Sequence, residues 1–448
     1  MPATNATRKV QQKNLIRPAG EVNNGFAHMR LRIFPIIIFV FLIVGPASAV
    51  TFEELNALFG IPLWTDENLW DDDVAATAKR LGWPMESNIS TDSSYRKYPG
   101  AEEVVLGTRP QSLALYGENS HPLRLSLMFA NRGDSVDFLF DVEDAKLKRE
   151  QERRQAKQMR DFKGAIQKDA KTISAALTGL LGPPAVDRFG QGRQTRESVQ
   201  RWDWNGHAFL LASPRDEYVA LRILPLELAD TQGKARIPDA EMKERLLARV
   251  EERPNGDVIL KDMPMVDQGP KGYCVPATWE RVMRYMGIPA DMYILAMAGT
   301  TKTGGGTYVA DLVNAAREAI TRGGRRLDSE KGKISMATVK KYVRKGVPLM
   351  WTMFSLPEVN QDLGARMGPR QAMSDPIEWE KSLTPARLAA KRIQHNFKHG
   401  HMCMIIGYNE KTKEIAVSDS WGPQFAERWM TVEEANAVSQ GEFMIINL

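Results

Sequence analysis

Asp267-Gln268-Gly269-Pro270-Lys271-Gly272-Tyr273-Cys274-Val275-Pro276-Ala277 is the stretch on which the reading of this chain turns. Pro276 suits the first turn of a helix, so residues 277–286 are predicted helical and closed by Gly287. Cys274 then sits at the positive end of a helix dipole, which favours its thiolate. Working outward, Gln268 stands just upstream. Far downstream comes His401, opening the apolar run His401-Met402-Cys403-Met404-Ile405-Ile406-Gly407-Tyr408. Ser418-Asp419-Ser420-Trp421-Gly422 follows it.

A thiol, an imidazole and a carboxylate in that order, led by an amide, are the parts of a nucleophilic hydrolase. A thiol is a weak nucleophile until an imidazolium or a helix N-terminus lowers its pKa. His401 would share the proton, first as base and then as acid toward a leaving amine. Asp419 would accept from the other ring nitrogen and fix its tautomer. Gln268 can donate its side-chain amide, with the Cys274 backbone N–H, to the oxyanion of a tetrahedral intermediate. One such donor is worth roughly 3 kcal/mol of barrier.

This order, with the Asp-Ser-Trp-Gly tail, resembles the papain-like cysteine peptidases, closest to the bacterial double-glycine leader peptidase-like family. In the papain pattern the His and Asn follow the Cys by roughly 130–150 residues, and His401 and Asp419 stand near the lower edge of that spacing. Asp419 in the Asn position matches the leader-peptidase variant. Val275 departs from it, standing where those peptidases usually carry Gly, and no ATPase or multi-span membrane segment follows. The resemblance covers about the last two hundred residues. It implies an α+β fold, with a helical side carrying Cys274 and an antiparallel sheet carrying His401 and Asp419. A peptide or protein substrate would lie between them, with Trp421 shielding the His401–Asp419 bond and with no cofactor. A reducing environment would keep the thiol active.

Other readings of the same residues are open. Cys274 alone could be a small buried hydrophobe. Cys274 and Cys403, the only cysteines, could form a disulfide that silences the site. His395, His399, His401 and Cys403 could hold a metal, although no His-Glu-x-x-His pattern supports it. The fold could also serve a silent peptide-binding module, or a Cys-dependent acyl transferase or amidase.

The rest of the 448 residues suggests two or three domains. Apolar content of 43%, charged content of 26% and a net charge of +5 are ordinary globular values. With no basic stripe interleaved with stacking aromatics, they give no case for nucleic acid. Met29-Arg30-Leu31-Arg32, the apolar residues 33–44 and Pro46-Ala47-Ser48-Ala49 read as a signal peptide at 29–49, cut after Ala49. Export to the periplasm or medium follows, with a retained membrane anchor as the alternative. Residues 1–28 read as an overlong start or a disordered tail.

Residues 50–235 read as an α+β accessory domain. Helices are predicted at 52–59, 67–81 and 144–181, and strands at 103–106, 112–116, 123–129, 135–140, 208–212 and 218–224. His121 and His207 are read as structural or exposed, and Trp202 and Trp204 as packing. Residues 236–256 form a linker with a helix, and 257–448 the peptidase-like domain. Within it, Gly304-Gly305-Gly306-Thr307 is read as a cleft-wall loop, not a phosphate loop, since no Lys-Ser/Thr follows. Residues 347–354 should be a strand beside His401, and the Gly/Pro-containing 356–376 a long loop over the cleft.

Overall fold

Two antiparallel sheets, one from each half of the sequence, face a single buried helix in the computed structural model. The described residues are 49–136, 144–233, 236–269, 271–299, 306–394 and 400–448. The expected signal segment, the N-terminal extension and most of the predicted strand 135–140 lie outside them. Val50–Leu448 forms one compact unit.

The first half starts with α1 (Phe52–Phe59) and α2 (Val74–Leu81). Thr51 and Glu54 form a capping box on α1, and Asp73 caps α2 through the Ala76 N–H. Strands β1 (Met85–Asn88), β2 (Asp92–Lys97), β3 (Ser112–Glu118) and β4 (His121–Asn131) follow, then α3 (Arg132–Ser135) and α4 (Ala145–Leu181). Strands β5 (Ala185–Phe189), β6 (Glu197–Trp204), β7 (His207–Ala212) and β8 (Tyr218–Pro225), with α5 (Leu226–Asp230), complete it. The sheet order is β1-β2-β3-β4-β8-β7-β6-β5.

The second half carries α6 (Asp239–Ala248), β9 (Val250–Glu252), β10 (Asp257–Leu260), α7 (Cys274–Tyr285), α8 (Met292–Ala298) and α9 (Val309–Arg322). Next come β11 (Arg326–Lys331), α10 (Met336–Val343), β12 (Leu349–Phe354), α11 (Pro357–Gln371), α12 (Pro376–Ser382) and α13 (Thr384–Ala390). The chain ends with β13 (Gly400–Asn409), β14 (Glu414–Ser418), β15 (Arg428–Thr431), α14 (Val432–Val438) and β16 (Ser439–Asn447). Their order is β11-β16-β12-β13-β10-β9, with β14 on β13 and β15 on β14. The fold class is α+β.

Several expectations change. Residues 67–81 are not one helix: a 3₁₀ turn at Leu69–Asp71 precedes α2, because Asp73 starts a new helix with its own cap. Residues 103–106 form a turn with one bridge, Val105 to Thr108, since Leu106 and Gly107 adopt positive φ. Val250–Glu252, read as linker, is an edge strand paired with β10. The supposed loop 356–376 is largely α11, started by Pro357 in its first turn. Gly364, Gly368 and Pro369 concealed it in the sequence, yet Val359 and Leu363 bury against the second sheet's core.

One face of the first sheet packs on α1, α2 and α4. Its other face, including Leu210, Ala220 and Leu224, packs on Ala277 of α7 and Met292, Tyr293 and Ala296 of α8. On α7, Val275, Trp279, Val282 and Met283 join the core of the second sheet. The helix is therefore covered on both sides, and even Thr278, Glu280 and Arg281 are fully buried. Each of these polar side chains is paired, as burial demands. Glu280 accepts from Tyr116 of β3 at 3.2 Å and from the Met292 N–H at 2.8 Å. Arg281 donates to Pro264 O, Asp419 O and Ser418 Oγ at 2.6–2.7 Å.

Candidate active site

Cys274 is the first residue of α7, so its backbone N–H is among those a helix leaves without an intrahelical partner. Helix and sheet meet where β13 begins. Trp351 pairs with Cys403 and Met353 with His401 across β12 and β13. Thr278 Oγ1 donates to Met402 O at 3.1 Å, holding α7 against that strand. Cys274 retains partial exposure, whereas His401 is 8% and Asp419 1% exposed.

His401 and Cys274 act on each other's charge, each shifting the other's proton affinity. His401 Nε2 lies 2.7 Å from Asp419 Oδ1, which leaves Nδ1 to the thiol side. Burial alone would raise the Cys274 thiol. The His401 charge and hydrogen bond, with the Met402 and Val275 backbone N–H groups, outweigh it and hold the thiol below its ordinary range. Burial alone would lower His401, but the Cys274 sulfur and Asp419 push it up to about 10. Asp419 resists its own burial and stays below its ordinary range, because His401 and Arg428 stabilise the anion. The arrangement favours a thiolate–imidazolium pair. It can deliver a nucleophile and a proton to the same bond.

Gln268 is 8% exposed and lies beside Asp419 through its neighbour: Gln268 N donates to Ser420 O at 2.9 Å, and Ser420 Oγ donates to Gln268 Oε1 at 2.8 Å. Gln268 Nε2 donates to Lys271 O at 2.8 Å, which uses one of its two N–H groups. Gly269 turns the chain here with φ +66°, and a Cβ on it would meet the Tyr98 ring at 2.8 Å. Asp419 is thus bonded to His401, whose charge acts on Cys274, and Gln268 joins them through Ser420.

Besides Trp421, expected from the Asp-Ser-Trp-Gly tail, other contributors carry no sequence signal. Arg428 on β15 donates to Asp419 Oδ2 and, at 3.0 Å, to Asn360 on α11. Trp421 stacks on His401 with centroids 4.6 Å apart and planes 28° from parallel. Arg428 stands 5.4 Å from the Trp421 ring. The first half also reaches this loop. Tyr98 Oη donates to Asp267 O at 2.6 Å, Glu86 accepts from the Asp267 N–H at 2.8 Å, and Asp134 pairs with Lys271 at 2.9 Å. Asn131 donates to Tyr273 Oη at 3.0 Å. A Cβ on Gly133 would collide with that hydroxyl.

Cys274 and Cys403 are both free, so the disulfide reading does not hold. Cys403 points into the core, 3.6 Å from Met353 Sδ, and burial pushes its thiol well above the ordinary range. His395, His399, Gly304 and Gly305 lie outside the described residues. The chain resumes at Gly306, whose N–H donates to Gly272 O at 3.3 Å beside the nucleophile loop. Among the described residues no cluster of His, Cys, Asp and Glu could hold a metal ion. His207 is buried, with Trp64 Nε1 donating to its Nε2 at 3.2 Å, and Trp202 and Trp204 pack in the core. Among the described residues no helix is long and apolar enough to cross a membrane.

Residues 260–443 match the sequence model of the Peptidase_C39 like family. The matched span contains Cys274, His401 and Asp419. No curated protein matches the chain. The match supports a cysteine peptidase-type domain in the C-terminal part, which is preceded by a second α+β half.

Proposed function

We propose that the protein is an exported cysteine peptidase acting through Cys274, His401 and Asp419, with Gln268 as oxyanion donor. What supports this is the mutual charge coupling of Cys274 and His401 at the first turn of α7, together with the 2.7 Å hydrogen bond from His401 Nε2 to Asp419 Oδ1. The Cys274 thiolate attacks the carbonyl carbon of a peptide bond. The resulting oxyanion accepts from the Cys274 backbone N–H and the second N–H of Gln268 Nε2. His401, as imidazolium, gives its proton to the leaving amine, and the C–N bond breaks. Water, deprotonated by His401, then attacks the thioester and releases the acid, restoring the thiolate–imidazolium pair.

Asp419 keeps Nδ1 of His401 aimed at the sulfur, and Trp421 covers that bond from water. The first half of the chain serves as a buttress for residues 264–273, which carry Gln268. Residues 29–49 support export, with a retained anchor as the alternative. The substrate is a peptide or protein, and no cofactor takes part.

The test is a peptide-library digest by the purified protein, with thiol-directed electrophile labelling read by mass spectrometry. Cleavage that vanishes in Cys274→Ala, with an unchanged fold, is the expected result. Undiminished cleavage in that variant ends the proposal. Ammonia release or amine cross-linking without chain cleavage would identify an acyl transferase or amidase instead.

A further inference from the structure

At the far end of α7 from Cys274, about 15 Å along its axis at 1.5 Å per residue, lies a cavity between the two halves. It encloses about 360 Å³ and is bounded by β3, β4 and β8 on one side and by α6, α8 and α9 on the other. That volume suits a small molecule, since such sites run from roughly 300 to 1,000 Å³. Leu224, Met242, Met283, Ile288, Ile294 and Leu295 supply apolar walls.

Five guanidinium groups crowd the lining, and Glu197, Glu241 and Glu280 pair with three of them, Arg222, Arg245 and Arg284. Arg124, Arg222, Arg245, Arg249 and Arg284 face it, against Asp92, Glu118 and Asp291. Arg222 is 2% exposed and pairs with Glu197 through Nη1 at 2.7 Å. Its Nε and Nη2 have no hydrogen-bond partner among the described residues. Arg284 Nη1 is in the same state, its closest carboxylate, Glu280, standing 3.6 Å away. Arg124 and Arg284 both stand over the Tyr116 ring, at 4.0 and 5.0 Å. Buried guanidinium donors without acceptors are costly and call for one. An anion with an apolar body supplies the acceptors and fills the walls.

We propose that this cavity binds a small amphiphilic anion, an acyl-chain-sized apolar body ending in one carboxylate or phosphate. Its head group is taken by the guanidinium groups of Arg222, Arg284 and Arg124, and its body lies against α6, α8 and β8. Arg245, with its side chain 42% exposed, stands at the solvent side, and Leu228 is partly buried on the same rim. The site is independent of the peptidase reading.

The test titrates the full chain with dodecanoate, dodecyl phosphate and dodecanol below micellar concentration, by calorimetry. The expected result is saturable one-site binding of an anion, at least about tenfold tighter than the alcohol, the loss expected when charge-assisted hydrogen bonds go unmade. Preference between the two anions separates a free acid from a phosphorylated source. Arg245→Glu and Leu228→Trp should each weaken the anion by about tenfold, with thermal midpoint and peptide hydrolysis unchanged. Equal binding of dodecanol, no binding of either anion, or full affinity in both variants overturns the proposal.

Discussion

Arg428 and His401 divide one carboxylate between them: His401 Nε2 lies 2.7 Å from Asp419 Oδ1, and Arg428 takes Oδ2. A buried carboxylate held from both sides cannot rotate, so the imidazole it orients is fixed as well. In the proposed mechanism Arg428 acts through Asp419, as a positioning residue.

Replacing Arg428 by Ala strands a buried charge, which typically costs about 3–5 kcal/mol. The variant should melt earlier and lose kcat far more than it raises KM. Arg428→Lys, which keeps the charge without the planar fork, should recover part of the kcat. Unchanged kcat in Arg428→Ala would remove Arg428 from the site.

The pH profile of kcat/KM should be a broad bell belonging to the coupled pair. Its acid limb lies below the ordinary thiol value of 9.0, because Cys274 is held down, and its alkaline limb falls near the about 10 of His401. Asp419→Asn should draw the alkaline limb to lower pH. For stability the sign is set by the raised imidazole. His401 contributes fully below its ordinary 6.5, and the contribution is lost as pH climbs through about 10. Thermal midpoints taken across that window should decline toward alkali, and less so in His401→Gln.

The two cysteines should separate cleanly under a thiol-directed electrophile. Cys274 is partly exposed and held toward thiolate, while Cys403 is buried and held protonated. Native protein should be modified at Cys274 alone, and denatured protein at both, as peptide mapping would read directly.

Gln268→Ala should lower kcat by about a hundred- to a thousandfold, the loss typical of one oxyanion donor, with little change in KM. Its Ser420 and Lys271 contacts make a folding check necessary, for which Gln268→Glu keeps the shape and the acceptor. Full activity in both variants would leave the oxyanion to the Cys274 N–H alone.

Asp134→Asn tests whether the first half holds the nucleophile loop. It leaves Lys271, 2% exposed in its side chain, without its anion at 2.9 Å. A loss of about 3 kcal/mol in stability is expected for a broken buried pair, with a fall in kcat as the loop loosens. A stability loss with kcat intact would make the contact purely structural.

Much of this was legible in the linear chain, for identifiable reasons. The apolar run after His401 reads as a strand because one continuous stretch is buried, and β13 is central in its sheet, paired with β10, β12 and β14. Asp144 and Gly182 bound α4 as a cap and a stop. α11 was not legible, since Gly364, Gly368 and Pro369 speak locally against a helix that burial of Val359 and Leu363 sustains.

By itself the sequence determined the order of amide, thiol, imidazole and carboxylate along the chain. It also placed the thiol at a helix start, because Pro276 and helix periodicity act within a few residues of it. Only the tertiary structure decided what surrounds them. Arg428, Arg281, Asn131 and Asp134 read as ordinary polar residues along the chain. They become partners of the site because α7 is enclosed between two sheets, where these buried charges and donors find their complements on a distant strand or loop.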